Sequence, residues 1–149
     1  MNEHVLKIKK EDVYNEVAKT TSYTGAKMED DAAYERIFTT AEDKTMLERF
    51  WNESKNAIAG SLKKFLASET ETDGTYTLTL ELSASFDDSL LESMERSLFS
   101  FFVMNITAKW YTFTNKNEAT DYAAGAATNL EDIMRKAFFK KKPRRPTYN

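Results

Sequence analysis

The chain has 149 residues, 41% of them hydrophobic and 13% aromatic, which excludes disorder throughout and suits one domain with a real core. It has no cysteine, so disulfides and thiolate metal sites are excluded, and no apolar run nears the ~20 residues that span a bilayer. The net charge of −3 hides an asymmetry: seven of the 21 basic residues follow Asp132 with no acid after it, leaving 14 bases against 24 acids. The chain reads as an acidic body with a basic end.

In chain order, His4–Lys9 alternates weakly, with Leu6 and Ile8 on one side and Lys7 and Lys9 on the other. It is expected as a short edge strand guarded by lysines, or as an extended arm. Met1–Lys10 has no secretory hydrophobic stretch, so a cytoplasmic origin is expected, or a particle assembled there. A helix then opens at Glu11 or Asp12 and runs to about Met28 along Val13, Val17 and Ala18. Thr20, Thr21, Ser22 and Gly25 weaken its second half, where a break is allowed. A short helix is expected from Asp30 or Asp31 to Thr39, with Ala33, Tyr34, Ile37 and Phe38 on its apolar side.

Thr40–Leu66 is the spine. Met46, Leu47, Phe50, Trp51, Ile58, Leu62, Phe65 and Leu66 follow the spacing of one helix face, with Ser54 filling one turn. Thr40 is placed to cap the helix, and Asp43 suits the positive end of its dipole. Ser68–Gly74 is polar, ends in the turn pair Asp73-Gly74 and is expected as a loop. Thr75–Ser83 alternates strictly, with Tyr76, Leu78, Leu80 and Leu82 on one face, which predicts a strand. Asp87 or Asp88 caps the next helix, to Phe113, with an inner stripe of Leu90, Leu91, Met94, Leu98, Phe101, Phe102 and Ile106. Phe99, Val103, Met104, Trp110, Tyr111 and Phe113 widen that stripe nearly all round, as in a helix central to a bundle or covered by another subunit. Asn115-Lys116-Asn117 makes a turn, and Glu118–Lys140 forms the last helix through Tyr122, Ala126, Leu130, Ile133, Met134 and Ala137. Its segment Ala123–Ala127 admits close approach of a neighbouring helix, and Pro143 and Pro146 end it in a basic tail over 141–149. The expected fold is mainly α: a bundle of four to five helices with a small β element near 75–83, paired with 4–9 or with a neighbouring subunit, in one domain over 1–140.

Chemical motifs are sparse. His4 is the only histidine, and the acids at Glu29-Asp30-Asp31 and Asp87-Asp88 suit either helix caps or a hard cation. Neither a Gly-x-Ser-x-Gly elbow nor a glycine-rich phosphate loop occurs among four glycines, so no catalysis, cofactor or metal is expected. The aromatic set Phe99, Phe101, Phe102, Trp110, Tyr111 and Phe113 reads as a bundle core or as the lining of an apolar pocket. Its surplus width makes Phe99, Phe102, Trp110 and Phe113 a candidate partner surface. A lone strand needs a partner, so Tyr76, Leu78, Leu80 and Leu82 mark either an internal sheet, with Val5–Lys9 or a piece of Leu66–Thr72 as companion, or an oligomer contact made by strand addition. The basic residues Lys140, Lys141, Lys142, Arg144 and Arg145 fit nucleic acid phosphates, an acidic patch of a neighbour, or a solvated tail at the negative end of the last helix.

Asp12–Thr21, Tyr34-Glu35-Arg36-Ile37-Phe38, Met46–Trp51 and the closing Lys142-Pro143-Arg144-Arg145-Pro146 resemble uncharacterised proteins of phages and prophages. The order of helices around one strand is similar to the head–tail connectors, or adaptors, of tailed phages. That resemblance implies a non-enzymatic structural protein that forms a homo-oligomeric ring with other virion proteins as neighbours. It also implies passing DNA contacted without base recognition, no membrane, and residence in the bacterial cytoplasm and then the virion. The alternative is a cytoplasmic helical binding module with an aromatic-lined pocket.

Overall fold

A computed structural model describes residues 2–21 and 40–140; the expected short helix up to Thr39 and the tail beyond Lys140 lie outside them. The order is β1 (Asn2–Lys9), α1 (Lys10–Thr21), α2 (Ala41–Ser61), β2 (Leu66–Thr72), β3 (Thr75–Leu82), α3 (Leu91–Thr114) and α4 (Lys116–Ala137). A 3-10 turn at Asp88–Leu90 leads into α3. The chain is mainly helical with a small sheet. Among the described residues no helix is long and apolar enough to cross a membrane.

The sheet is antiparallel with order β1-β3-β2, so β3 is its central strand. Leu6 stands opposite Leu78 and Ile8 opposite Tyr76 on one side, while Glu69 and Glu71 face the same two residues on the other. The expected loop over Ser68–Gly74 is therefore corrected: all but its last two residues belong to β2. Asp73 and Gly74 have φ of 53° and 76°, the paired positive values of a two-residue hairpin turn whose twist matches its strands. The other expectation, a piece of Leu66–Thr72 as companion to the strand, holds. The polar run reads as a loop because an edge strand with solvent on one side needs no apolar alternation. Its glutamates find polar partners where a central strand would carry leucines.

The spine forms as expected. Thr40 Oγ1 accepts from the Asp43 amide at 3.0 Å, and α2 ends at Ser61, a turn earlier than the apolar stripe suggests. Trp51 is completely buried and holds the elements together. Its ring lies 4.8 Å from Phe102 of α3, 6.2 Å from Tyr76 of β3 and 6.1 Å from Tyr14 of α1. Such tilted and edge-on pairs suit the aromatic quadrupole and add to the area they bury. The last two helices form an antiparallel pair joined at Asn115, so only the first residue of the expected turn lies between them. The small residues of α4 permit this approach: a Cβ built on Gly125 would sit 2.6 Å from Met104 Sδ.

One buried group is out of place in that pair. Thr107 is fully buried, and its hydroxyl has no hydrogen-bond partner among the described residues. Thr107→Val keeps the shape and removes the stranded hydroxyl, so it is expected to raise stability by ~1 kcal/mol in urea unfolding.

Candidate interaction surfaces

The four strand residues expected at a subunit contact are core. Tyr76, Leu78, Leu80 and Leu82 are each at most 2% exposed, and β3 has hydrogen-bonded neighbours on both sides. No backbone edge of β3 is left for a second chain, which corrects the reading of this strand as a site of strand addition. The open edges are β1 and β2, and each carries features that discourage pairing. The Lys7 amide points away from β3 and donates to Glu95 Oε2 of α3 at 3.0 Å, closing part of the β1 edge. β2 is exposed along nearly its whole length, is polar, and shifts register between Leu66 and Ser68. Bulges and charges of this kind blunt an edge.

The glutamates of β2 turn back onto the core. Trp51 Nε1 donates to Glu71 Oε1 and the Tyr76 hydroxyl to Glu69 Oε2, both at 2.5 Å, while Lys55 Nζ lies 3.5 Å from Glu71. Burial pushes the Tyr76 hydroxyl far above its usual pKa, and the Glu69 carboxylate it bonds reinforces the shift. The phenol therefore stays a proton donor at any ordinary pH. A second polar pair joins α1 to α2, where Glu48 accepts from Lys10 Nζ at 2.7 Å and from the Tyr14 hydroxyl at 2.9 Å. Partial burial pushes the Glu48 carboxyl up, but these hydrogen bonds and the Lys10 charge outweigh it, and the pKa falls. Asp132 behaves likewise: burial is outweighed by bonds from Lys136 and Ser97, with Lys136 Nζ at 2.7 Å. Both groups have folded pKa values below their unfolded ones, so their contribution is present above the ordinary carboxylate range and lost as pH falls through it. The urea midpoint is expected to hold from pH 7 to about 5 and to drop below pH ~4. Glu48→Gln and Asp132→Asn together should flatten that drop.

The aromatic set of α3 does not converge on one pocket. Phe102 is fully buried, with Trp51, Tyr76 and Phe101 packed on it, which removes it from any partner surface. Phe99 is half-buried and borders an open groove of about 640 Å³ with Ile8, Asp12, Glu92 and Arg96. Trp110 is half-buried at the margin of the core. Phe113 is different: it is 66% exposed and stacks at 6.3 Å on Phe50, whose other surfaces are buried. Of the four aromatic candidates, Phe113 alone is a free apolar surface.

Two aromatics that periodicity assigned to no surface complete the picture. Phe138 and Phe139, just past α4, are 56% and 44% exposed. The helix expected to run on to Lys140 ends at Ala137, so both rings follow its last turn. The chain is pinned here, because Asp87 N donates to Phe139 O at 3.1 Å and Phe86 bridges to Lys140. Lys140 is exposed; the other four candidates, Lys141, Lys142, Arg144 and Arg145, lie outside the described residues.

Of the two acid clusters, only Asp87-Asp88 lies among the described residues. Asp87 accepts from the amide and hydroxyl of Ser89 as a cap, while Glu29-Asp30-Asp31 lies outside the described residues. Among the described residues no group of three or more His, Cys, Asp or Glu is arranged to hold a metal ion. No protein-family model matches the chain, and no curated protein or solved structure gives a significant match.

Proposed function

We propose that this protein is a structural assembly subunit, of the head–tail connector kind in a phage or prophage, that works by associating with copies of itself and with other virion proteins. The observation that carries the reading is Phe113, an aromatic left 66% exposed at one end of a helix pair whose inner faces are filled. Burying a phenylalanine ring contributes ~1.5–3 kcal/mol, so a soluble chain gains by covering it with a partner. The helix pair sets the geometry: Phe113 closes α3, and the Phe138-Phe139 pair lies beyond the 22 residues of α4. At 1.5 Å per residue the two aromatic ends stand ~30 Å apart. Distinct contact sites at opposite ends suit a heterologous contact, which closes into a ring or propagates as a stack. The blunted edges of β1 and β2 leave helix ends, rather than strand addition, as the means of association.

Phe113→Asp tests this. The charge is readily solvated in the monomer but intolerable in a buried contact, so the variant is expected to keep its thermal midpoint and lose self-association in light scattering. A variant that associates like the parent overturns the assigned contact.

A further inference from the structure

Met104 of α3 lays its sulfur over Gly125 of α4, so near that a Cβ there would stand 2.6 Å from Sδ and 3.4 Å from Cε. One turn further along α4, Asn129 Nδ2 donates to the same sulfur at 3.3 Å. The thioether thus sits in a notch, with bare backbone on one side and an amide on another. Its remaining side is reachable from water. Met104 is half-buried and borders an open groove of about 340 Å³ with Glu16, Thr20, Phe99 and Tyr122. That is roughly ten times the ~30 Å³ share of one water, so a molecule of peroxide size enters. Met94, by contrast, is fully buried. Of Met46, Met94, Met104 and Met134, only Met104 has its sulfur hydrogen-bonded to a described residue.

We propose that Met104 is an oxidation-sensitive site, and that its conversion to the sulfoxide by hydrogen peroxide loosens α4 from α3. A sulfur lone pair attacks one peroxide oxygen, the O–O bond breaks and an S–O bond forms. The proton of the transferred hydroxyl passes to the departing hydroxide, which leaves as water. Sulfur loses two electrons and the peroxide gains them. The new oxygen has no room over Gly125, where even a methyl group would collide. Turned toward Asn129, it would lie a covalent bond nearer than a sulfur already 3.3 Å from Nδ2, inside any hydrogen-bond distance. The sulfoxide therefore leaves the notch for the groove, where water meets its oxygen. Asn129 loses its acceptor and the space over Gly125 empties, and both changes weaken the seam. The site goes beyond the assembly reading and does not depend on it, because it uses neither aromatic end of the helix pair.

The test is titration of the full chain with hydrogen peroxide, read by peptide mass mapping, thermal melting and hydrogen exchange. The expected result is one added oxygen at Met104 while Met94 stays unmodified, with a thermal midpoint lower by about 3–8 °C. Amides of α4 around Gly125 and Asn129 should exchange faster in the oxidised chain. Met104→Leu keeps the volume and should hold its own midpoint through the same treatment. Met104→Gln puts a polar carboxamide at the place of the sulfoxide, and should show the lower midpoint with no oxidant. Methionine sulfoxide reductases acting on both epimers should restore the parent's midpoint. Met104 left unmodified while Met46 and Met134 are oxidised overturns the proposal. So does a midpoint indifferent to oxidation of Met104, an equal fall in Met104→Leu, or faster exchange that spares α4. Phe113→Asp should respond to peroxide as the parent does, which separates failure of this site from failure of the assembly contact.

Discussion

Leu78→Ala and Leu80→Ala are each expected to destabilise the protein by ~2–5 kcal/mol, whereas Thr77→Ala, just before Leu78 on the same strand, should change stability by no more than ~0.5 kcal/mol. Leu78 and Leu80 are completely buried, while Thr77 looks out from the other face of β3. Truncating either leucine loses its transfer free energy and leaves a cavity that the flanking strands limit from collapsing. Urea unfolding followed by circular dichroism reads the difference directly, and an unchanged m-value would tie it to the folded state's stability. The series separates two roles for the strand. If β3 faced a neighbouring subunit, the leucine variants would lose association while the isolated subunit kept its stability. With β3 central, stability itself falls at every protein concentration.

Phe102→Ala is expected to cost ~3–5 kcal/mol, among the largest effects of any single truncation in the chain. Its ring meets Trp51, Tyr76 and Phe101 at centroid distances of 4.8, 5.8 and 5.7 Å, so one substitution opens the junction of α2, α3 and β3 together. For a small domain with ~5–15 kcal/mol in hand, that is a large share of the total. Phe113→Ala gives the contrast. Its ring is mostly in water and stacks among the described residues on Phe50, so the cost should stay below ~1 kcal/mol. Two phenylalanines of one helix, eleven positions apart, thus differ several-fold in effect. Thermal melts of the two variants suffice to check the order.

Much of the fold is legible in the residue pattern, and the reasons are local. Thr40 caps α2 because its hydroxyl meets a free amide three residues on, a relation that spacing alone expresses. The alternation of Tyr76, Leu78, Leu80 and Leu82 gives β3 and its buried face, since period two has only one structural meaning. The small run in α4 foretells the close approach that Gly125 makes to Met104. What is hidden depends on partners distant in sequence. β2 looks like a loop because Glu69 and Glu71 are acceptable on its core side only through Tyr76, Trp51 and Lys55. A central place for β3 follows only once both neighbours are known. For the same reason the candidate surface divides: the apolar width of α3 does not tell a buried Phe102 from an exposed Phe113. Depth depends on what packs beside each turn of the helix, and that is a property of α1, α2 and β3.

The central claim is that a free aromatic end drives this subunit to associate. Its most direct test is the solution mass of the purified chain by multi-angle light scattering, across concentration and salt, beside Phe113→Asp. The account predicts a defined oligomer for the parent and a folded monomer for the variant. A parent that stays monomeric at every concentration, or a variant of the same mass as the parent, would contradict it.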